Sequence, residues 1–142
     1  MIMDDSNTNN VLRGLSADDW VSDGFATAAA FQFKYEPSAL KDGCSANSIC
    51  WEDNTEVVNL MLLQERDGHY QFKAGIGRIP REDLERLMKL LTFRGILSYE
   101  RDPVEGNPYH GNILVSTKSS IAQRKLLPAN IAACVSEVIP RV

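Results

Sequence analysis

The chain has 142 residues, 44% of them hydrophobic and 24% charged, with a formal net charge of −4. That length allows one domain with its own apolar core and no disulfide or metal staple, and that composition excludes a disordered or membrane-embedded chain. The charge is split, with ten acids and three bases in residues 1–60, or −7, against +3 in the remainder; this suits an oppositely charged partner or two halves of one domain facing each other.

Residues 1–10, MIMDDSNTNN, are polar and without apolar period, which predicts a flexible amino terminus ahead of a single domain over 11–142. They carry acid where a secretion signal needs base, and the apolar run from Ala26 to Phe31 is far too short to cross a bilayer, so the expected setting is the cytoplasm. In LSADDW, Asp19 follows Ser16 by three residues, the spacing of a capping box and of a short helical turn. The alternation Phe31, Phe33, Tyr35 predicts a strand closed by Pro37. The stretch KDGCSANSICWEDNTE reads as a turn-rich connection, after which Thr55 caps a helix with Val57, Leu60, Met61 and Gln64 on one face, ended by Asp67-Gly68. Tyr70, Phe72, Ala74 and Ile76 then alternate as a half-buried strand, with Gly75 and Gly77 marking a bulge.

The clearest helix runs over 80–93. Pro80 suits a first helical position, Leu84, Leu87, Met88 and Leu91 fall at i, i+3, i+4 and i+7, Glu82 with Arg86 and Glu85 with Lys89 form i,i+4 pairs, and Gly95 terminates. ILSYER and GNILVS make a hairpin over 96–116, and Ser119 and Pro128 start two final helical segments, the second with Ile131, Val135, Val138 and Ile139 facing inward. The sum is an α+β single domain, an antiparallel sheet with a carboxy-terminal hairpin and three to four helices.

The odd cysteine count, Cys44, Cys50 and Cys134, predicts free thiols, and the Cys44–Cys50 spacing is too wide for a common zinc knuckle. No metal or cofactor is expected; Gly75-Ile-Gly77 lacks the third glycine of a dinucleotide fingerprint. Two segments concentrate site chemistry. In RDPVEGNPYHGN the prolines and Gly106 shape a loop that presents Asp102, Asn107 and His110 together, so His110 is a candidate general base oriented by Asp102, or a clamp bonded to loop carbonyls or Asp102. In CSANSICWED, Ser45, Asn47, Ser48, Trp51, Glu52 and Asp53 gather hydroxyls, an amide, an indole and carboxylates. Ser45 lacks the glycines of a nucleophile elbow, and nucleophilic chemistry at a serine or cysteine here needs the fold to bring His110 or His69 close. Trp51 is better explained as a core anchor than as a ligand platform.

The order of these segments across residues 25–115 resembles small uncharacterised bacterial proteins with an early Ser-x-x-Trp-like segment and a late Asp-Pro, Asn-Pro-x-His segment. The matching residues are Ser45, Trp51, Asp102, Asn107 and His110, and the resemblance implies one shared surface without naming an activity. Helix 80–93 followed by hairpin 96–116 is also similar to the recognition helix and wing of winged-helix regulators, with Arg81, Arg86, Lys89 and Arg94 as phosphate contacts. An acidic hairpin tip at Glu105, an acidic domain and a strand-like segment before Pro80 disfavour nucleic acid.

The leading expectation is a non-enzymatic interaction or regulatory module whose partner is another protein, open to self-association, with Asn47, Trp51, Glu52 and Asn107 as binding candidates. The alternative is a small hydrolase or nuclease using His110, Asp102 and Ser45.

Overall fold

The computed structural model describes residues 9–141. In chain order its strands are β1 (Asn10–Leu15), β2 (Val21–Ser22), β3 (Phe25–Ala26), β4 (Cys44–Trp51), β5 (Glu65–Arg66), β6 (His69–Tyr70), β7 (Gly75–Pro80), β8 (Leu97–Arg101), β9 (His110–Ser116) and β10 (Glu137–Ile139). The helices are α1 (Glu56–Leu63), α2 (Arg81–Lys89) and α3 (Ile121–Ala132). Six strands form one antiparallel sheet in the order β10-β7-β1-β4-β9-β8, while β2-β3 and β5-β6 are two-stranded ribbons.

Strand alternation sends two sets of side chains to opposite faces. On one face Val11, Leu15, Ile49, Trp51, Ile79, Ile113 and Val115 pack with Leu84 and Leu87 of α2, Leu127 and Ile131 of α3, and Phe31. On the other, a smaller cluster joins Leu12, Cys50 and Ile76 to Val57 and Met61 of α1. Each such aliphatic side chain removed from water contributes about 1.5–3 kcal/mol, so the first layer dominates stability. The second leaves Ser48 of β4 exposed.

The α+β single domain, its antiparallel sheet and the β8–β9 hairpin agree with the sequence reading. Several elements differ. Residues 1–8 of the expected flexible terminus lie outside the described residues, but Asn10 already pairs with Pro80 and the Asn9 carbonyl accepts from Arg81 N. The strand expected at Phe31–Tyr35 is absent: Ala28–Phe31 is a 3-10 turn, followed by irregular backbone. The 3-10 turn Asp18–Trp20 forms without a side-chain cap, its N-cap being Ala17.

CSANSICW, read as turns, is the eight-residue strand β4, because Ser45 and Asn47 are small enough to be buried alongside Ile49 and Trp51. Asp67 and Gly68, with φ of 52° and 80°, form the turn of the β5–β6 ribbon. Helix α2 stops at Lys89, leaving Leu91 82% exposed. One helix, not two, follows the hairpin: Ser120 and Gln123 cap α3 reciprocally, Pro128 lies inside it, and Val138 and Ile139 belong to the edge strand β10.

Candidate functional site

The β1–β4 ladder is short. Val11 pairs with Trp51 and Leu12 with Cys50, and there it ends, although β1 continues along β7 to Leu15. Past Cys50 the two strands part. The Ser48 carbonyl, which further pairing would occupy, instead accepts from Arg13 Nη1 at 2.9 Å, while Arg13 Nε donates to the Ala30 carbonyl at 3.0 Å. Rings of Trp20 and Phe31 stand 5.2 and 5.9 Å from the guanidinium carbon. The guanidinium therefore fills the seam between the strands.

A cleft of about 540 Å³ opens over this seam, with Arg13, Gly14, Ser48 and Cys50 lining it from the sheet. Met61, Gln64, Glu65 and Phe72 form one wall; Val104 to Asn107 and His110 form the other. Gly14 lets the Phe72 ring close over the strand: a Cβ would stand 2.2 Å from that ring, which would have to shift.

The 102–109 loop is built by its own backbone. Val104 and Asn107 exchange N–H···O bonds of 3.1 and 3.0 Å, Gly106 takes φ of 83°, and Asn107 Oδ1 accepts from Tyr109 N at 3.0 Å. Asn107 Nδ2 then donates to Cys50 Sγ at 3.4 Å. His110 starts β9 directly opposite Cys50. Trp51 N donates to Tyr109 O at 2.8 Å, so Cys50 and His110 are the neighbouring non-hydrogen-bonded pair, with Cβ atoms about 4.5–5.5 Å apart on one face.

His110 Nδ1 lies 2.8 Å from the Asp102 carbonyl oxygen. A carbonyl only accepts, so Nδ1 carries the proton and the neutral ring keeps its lone pair on Nε2. The Asp102 carboxylate is engaged elsewhere: it pairs with Lys41 and accepts from Asn112 Nδ2 at 3.2 Å, and its nearer oxygen is 3.9 Å from Nδ1. The hydrogen bond from Lys41, then that from Asn112, hold this carboxyl below its ordinary range.

Electrostatics distinguish two groups of the cleft. Burial pushes the Cys50 thiol pKa up, partly offset by the Asn107 amide. Desolvation pulls Arg13 down to about 10. Among the described residues no carboxylate forms an ion pair with it.

The structure thus gathers His110 and Asn107 in the cleft and seats Asp102 behind them. Ser45 is not among them: it is buried, donates to the Lys34 carbonyl at 2.6 Å and pairs with Val115. It lies five residues from Cys50 on the opposite sheet face, about 16 Å along a strand. Asn47, also buried on that face, pairs with Ile113. Trp51 is 3% exposed, stacked on Tyr99 at 5.4 Å and capped by the Arg101 guanidinium at 4.9 Å, an anchor of the core. Glu52 is held by Arg78 and Asn10.

The three arginines expected to meet phosphate are similarly occupied, while the Lys89 side chain is exposed. Arg81 Nε donates to the Tyr99 hydroxyl, Arg86 pairs with Asp83, and Arg94 donates to the Lys89 carbonyl. The element before α2 is β7, deep in the sheet, where a helix-turn-helix needs a helix. Arg13 belongs to no motif of the sequence, whereas Ser48 lies in the CSANSICWED cluster and Cys50 has, across the strands, the histidine on which nucleophilic chemistry there depended. The available signal was NVLRGL, where an arginine stands amid apolar neighbours.

Set against known proteins, the chain matches no family model, no curated protein and no solved structure. Among the described residues no helix is long and apolar enough to cross a membrane, and no three His, Cys, Asp or Glu side chains are gathered to hold a metal ion.

Proposed function

We propose that the protein is a non-catalytic recognition module of the cytoplasm, whose cleft over Arg13, Cys50 and His110 receives a segment of a partner protein. The observation that carries this reading is the cleft itself: strands fix its floor, and its hydrogen-bonding groups are set by backbone contacts before any ligand arrives. Preorganisation of this kind lowers the ordering cost of binding.

A macromolecular partner is favoured by the cleft's mouth. Met61, Gln64, Glu65 and Gln71 line it, and on the same arm Leu60, Leu63 and Tyr70 are 47%, 67% and 49% exposed. Exposed apolar side chains grouped beside a cleft suit a protein surface rather than water. Unpaired Cys44, Cys50 and Cys134 fit a reducing compartment.

Catalysis is disfavoured by what the polar groups already do. The Cys50 thiol is pushed toward its protonated form, Ser45 is committed to Lys34, and the Asp102 carboxylate is committed to Lys41. The test is a photo-cross-linking residue placed at Leu63, with Ile121 of α3 as control, in the cell that makes the protein. Cross-links to one defined protein, from position 63 alone and competed by untagged protein, are expected. A second copy of this chain as the product would make the partner segment its own. Equal, diffuse labelling from both positions would sink the reading.

A further inference from the structure

We infer that the cleft contains a carboxylate subsite, in which the Arg13 guanidinium takes a single carboxylate and His110 Nε2 accepts from a neighbouring N–H of the same ligand. The inference deepens the recognition reading above and rests on it.

An arginine held in a protein interior is ordinarily matched by a carboxylate, because an uncompensated buried charge is costly. Arg13 is half-buried, yet among the described residues its partners are two backbone carbonyls and two aromatic rings, with no acid. The carbonyls occupy two of the five N–H donors of a guanidinium. The group lines the cleft, so a ligand can supply the missing charge with paired, charge-assisted hydrogen bonds. Its geometry is fixed from both sides, so that little further ordering accompanies binding.

The rest of the cleft narrows the ligand class. Glu65 and Glu105 stand at the lining and repel a dianion such as phosphate more than a monoanion. His110 offers an acceptor, since its Nδ1 proton is committed to Asp102. Ser48, whose carbonyl holds Arg13, and Cys50, which faces His110, are two residues apart on β4, about 7 Å along a strand. A carboxylate followed by an amide N–H spans that interval. Both a chain-terminal carboxylate and an Asp or Glu side chain provide this chemistry.

The experiment is an NMR titration of isotope-labelled full-length protein at constant ionic strength. The probes are N-acetylglycine, N-acetylaspartate N-methylamide, N-acetylglycinamide and inorganic phosphate. Saturable shifts at Arg13 Hε, the Asn107 amide and the His110 ring are expected with a carboxylate probe, with a midpoint on the order of millimolar. No saturation is expected with N-acetylglycinamide.

Binding of N-acetylglycine in preference to the aspartate probe assigns a chain terminus; the reverse preference assigns an acidic side chain, and either supports the subsite. Arg13→Lys should weaken the midpoint about tenfold, because an ammonium cannot reproduce the forked donor set. Absence of saturation with both carboxylates on folded wild-type protein overturns the inference, as does tighter binding of phosphate or equal binding of N-acetylglycinamide. The cross-linking result is independent of these probes: a partner caught at Leu63 with no carboxylate response leaves the recognition reading standing and removes the subsite.

Discussion

His110 Nδ1 and the carbonyl oxygen of Asp102 are 2.8 Å apart, closing the 102–109 loop across the start of β9. A second closure is Asp102 N donating to the His110 carbonyl at 2.9 Å. The imidazole is thus a clamp on the wall of the cleft, and the backbone of Asp102, rather than its carboxylate, orients it. His110→Ala should preserve the fold but release the loop, because losing one partner of a half-buried hydrogen bond costs about 1–3 kcal/mol and local opening precedes global unfolding. Amide exchange should accelerate across residues 100–112 and nowhere else. Acceleration spread through β1 and β7 would show that the histidine supports the sheet instead.

Glycine at 111 is demanded by the neighbouring strands. A Cβ there would lie 2.3 Å from the Trp51 ring and 2.4 Å from the Glu100 carbonyl oxygen, whereas the nearest atoms to one at Gly14 belong to the Phe72 ring, at 2.2 Å. Trp51 is wedged between Tyr99 and Arg101 and cannot give way; Phe72 is half-buried on the cleft wall and can. Gly111→Ala should cost about 3 kcal/mol or more and Gly14→Ala about 1 kcal/mol, with the latter reshaping the cleft. Denaturant unfolding of the two variants checks the order, and equal costs would contradict it.

The same contrast shows what was legible in the sequence. Elements with a single strong period, such as α2 around Leu84 and Leu87 and the hairpin around Asp102 to Asn107, follow from spacing and turn chemistry. β4 was hidden because its inward positions include Ser45 and Asn47, polar residues that satisfy turn statistics as well as a strand. β1 was hidden because Arg13 and Gly14, which both line the cleft, interrupt its apolar pattern. Half of the site, His110 and Asn107, lay in a segment that turn residues advertise. The other half, Arg13 and Cys50, is brought in by strand pairing, which short-range patterns do not encode.

The Lys41–Asp102 pair sets an acid limit on the loop. Because the folded carboxyl is held below its ordinary 3.8, chiefly by the hydrogen bond from Lys41, the stabilisation is complete above that value and lost as pH falls through the lower folded one. The loop should therefore loosen only in strong acid. Lys41→Met should move the Asp102 titration upward and bring the loosening to higher pH, while leaving the neutral-pH melting temperature nearly unchanged, since the pair is exposed and screened. Carboxyl ¹³C titration of wild type and variant reads this directly. An unmoved Asp102 titration would mean that Asn112 and the backbone dominate.

Cys50 separates recognition from catalysis. Its thiol faces His110 across the strands, yet burial pushes its pKa above the ordinary 9.0 and the Asn107 amide only partly reverses this. The thiolate is the reactive form, so alkylation of Cys50 by iodoacetamide at pH 8 should be at least ~10-fold slower than that of a free thiol. The rate should climb with pH beyond 9 without a plateau near neutrality. His110→Ala should leave the shape of this pH profile unchanged, although the freed loop admits the reagent faster at every pH. A cysteine activated by histidine behaves otherwise, giving a plateau near neutral pH that disappears with the imidazole. Observing that plateau would transfer the cleft from recognition to acyl-transfer or hydrolytic chemistry, with Cys50 taking the nucleophile's part and His110 the base's.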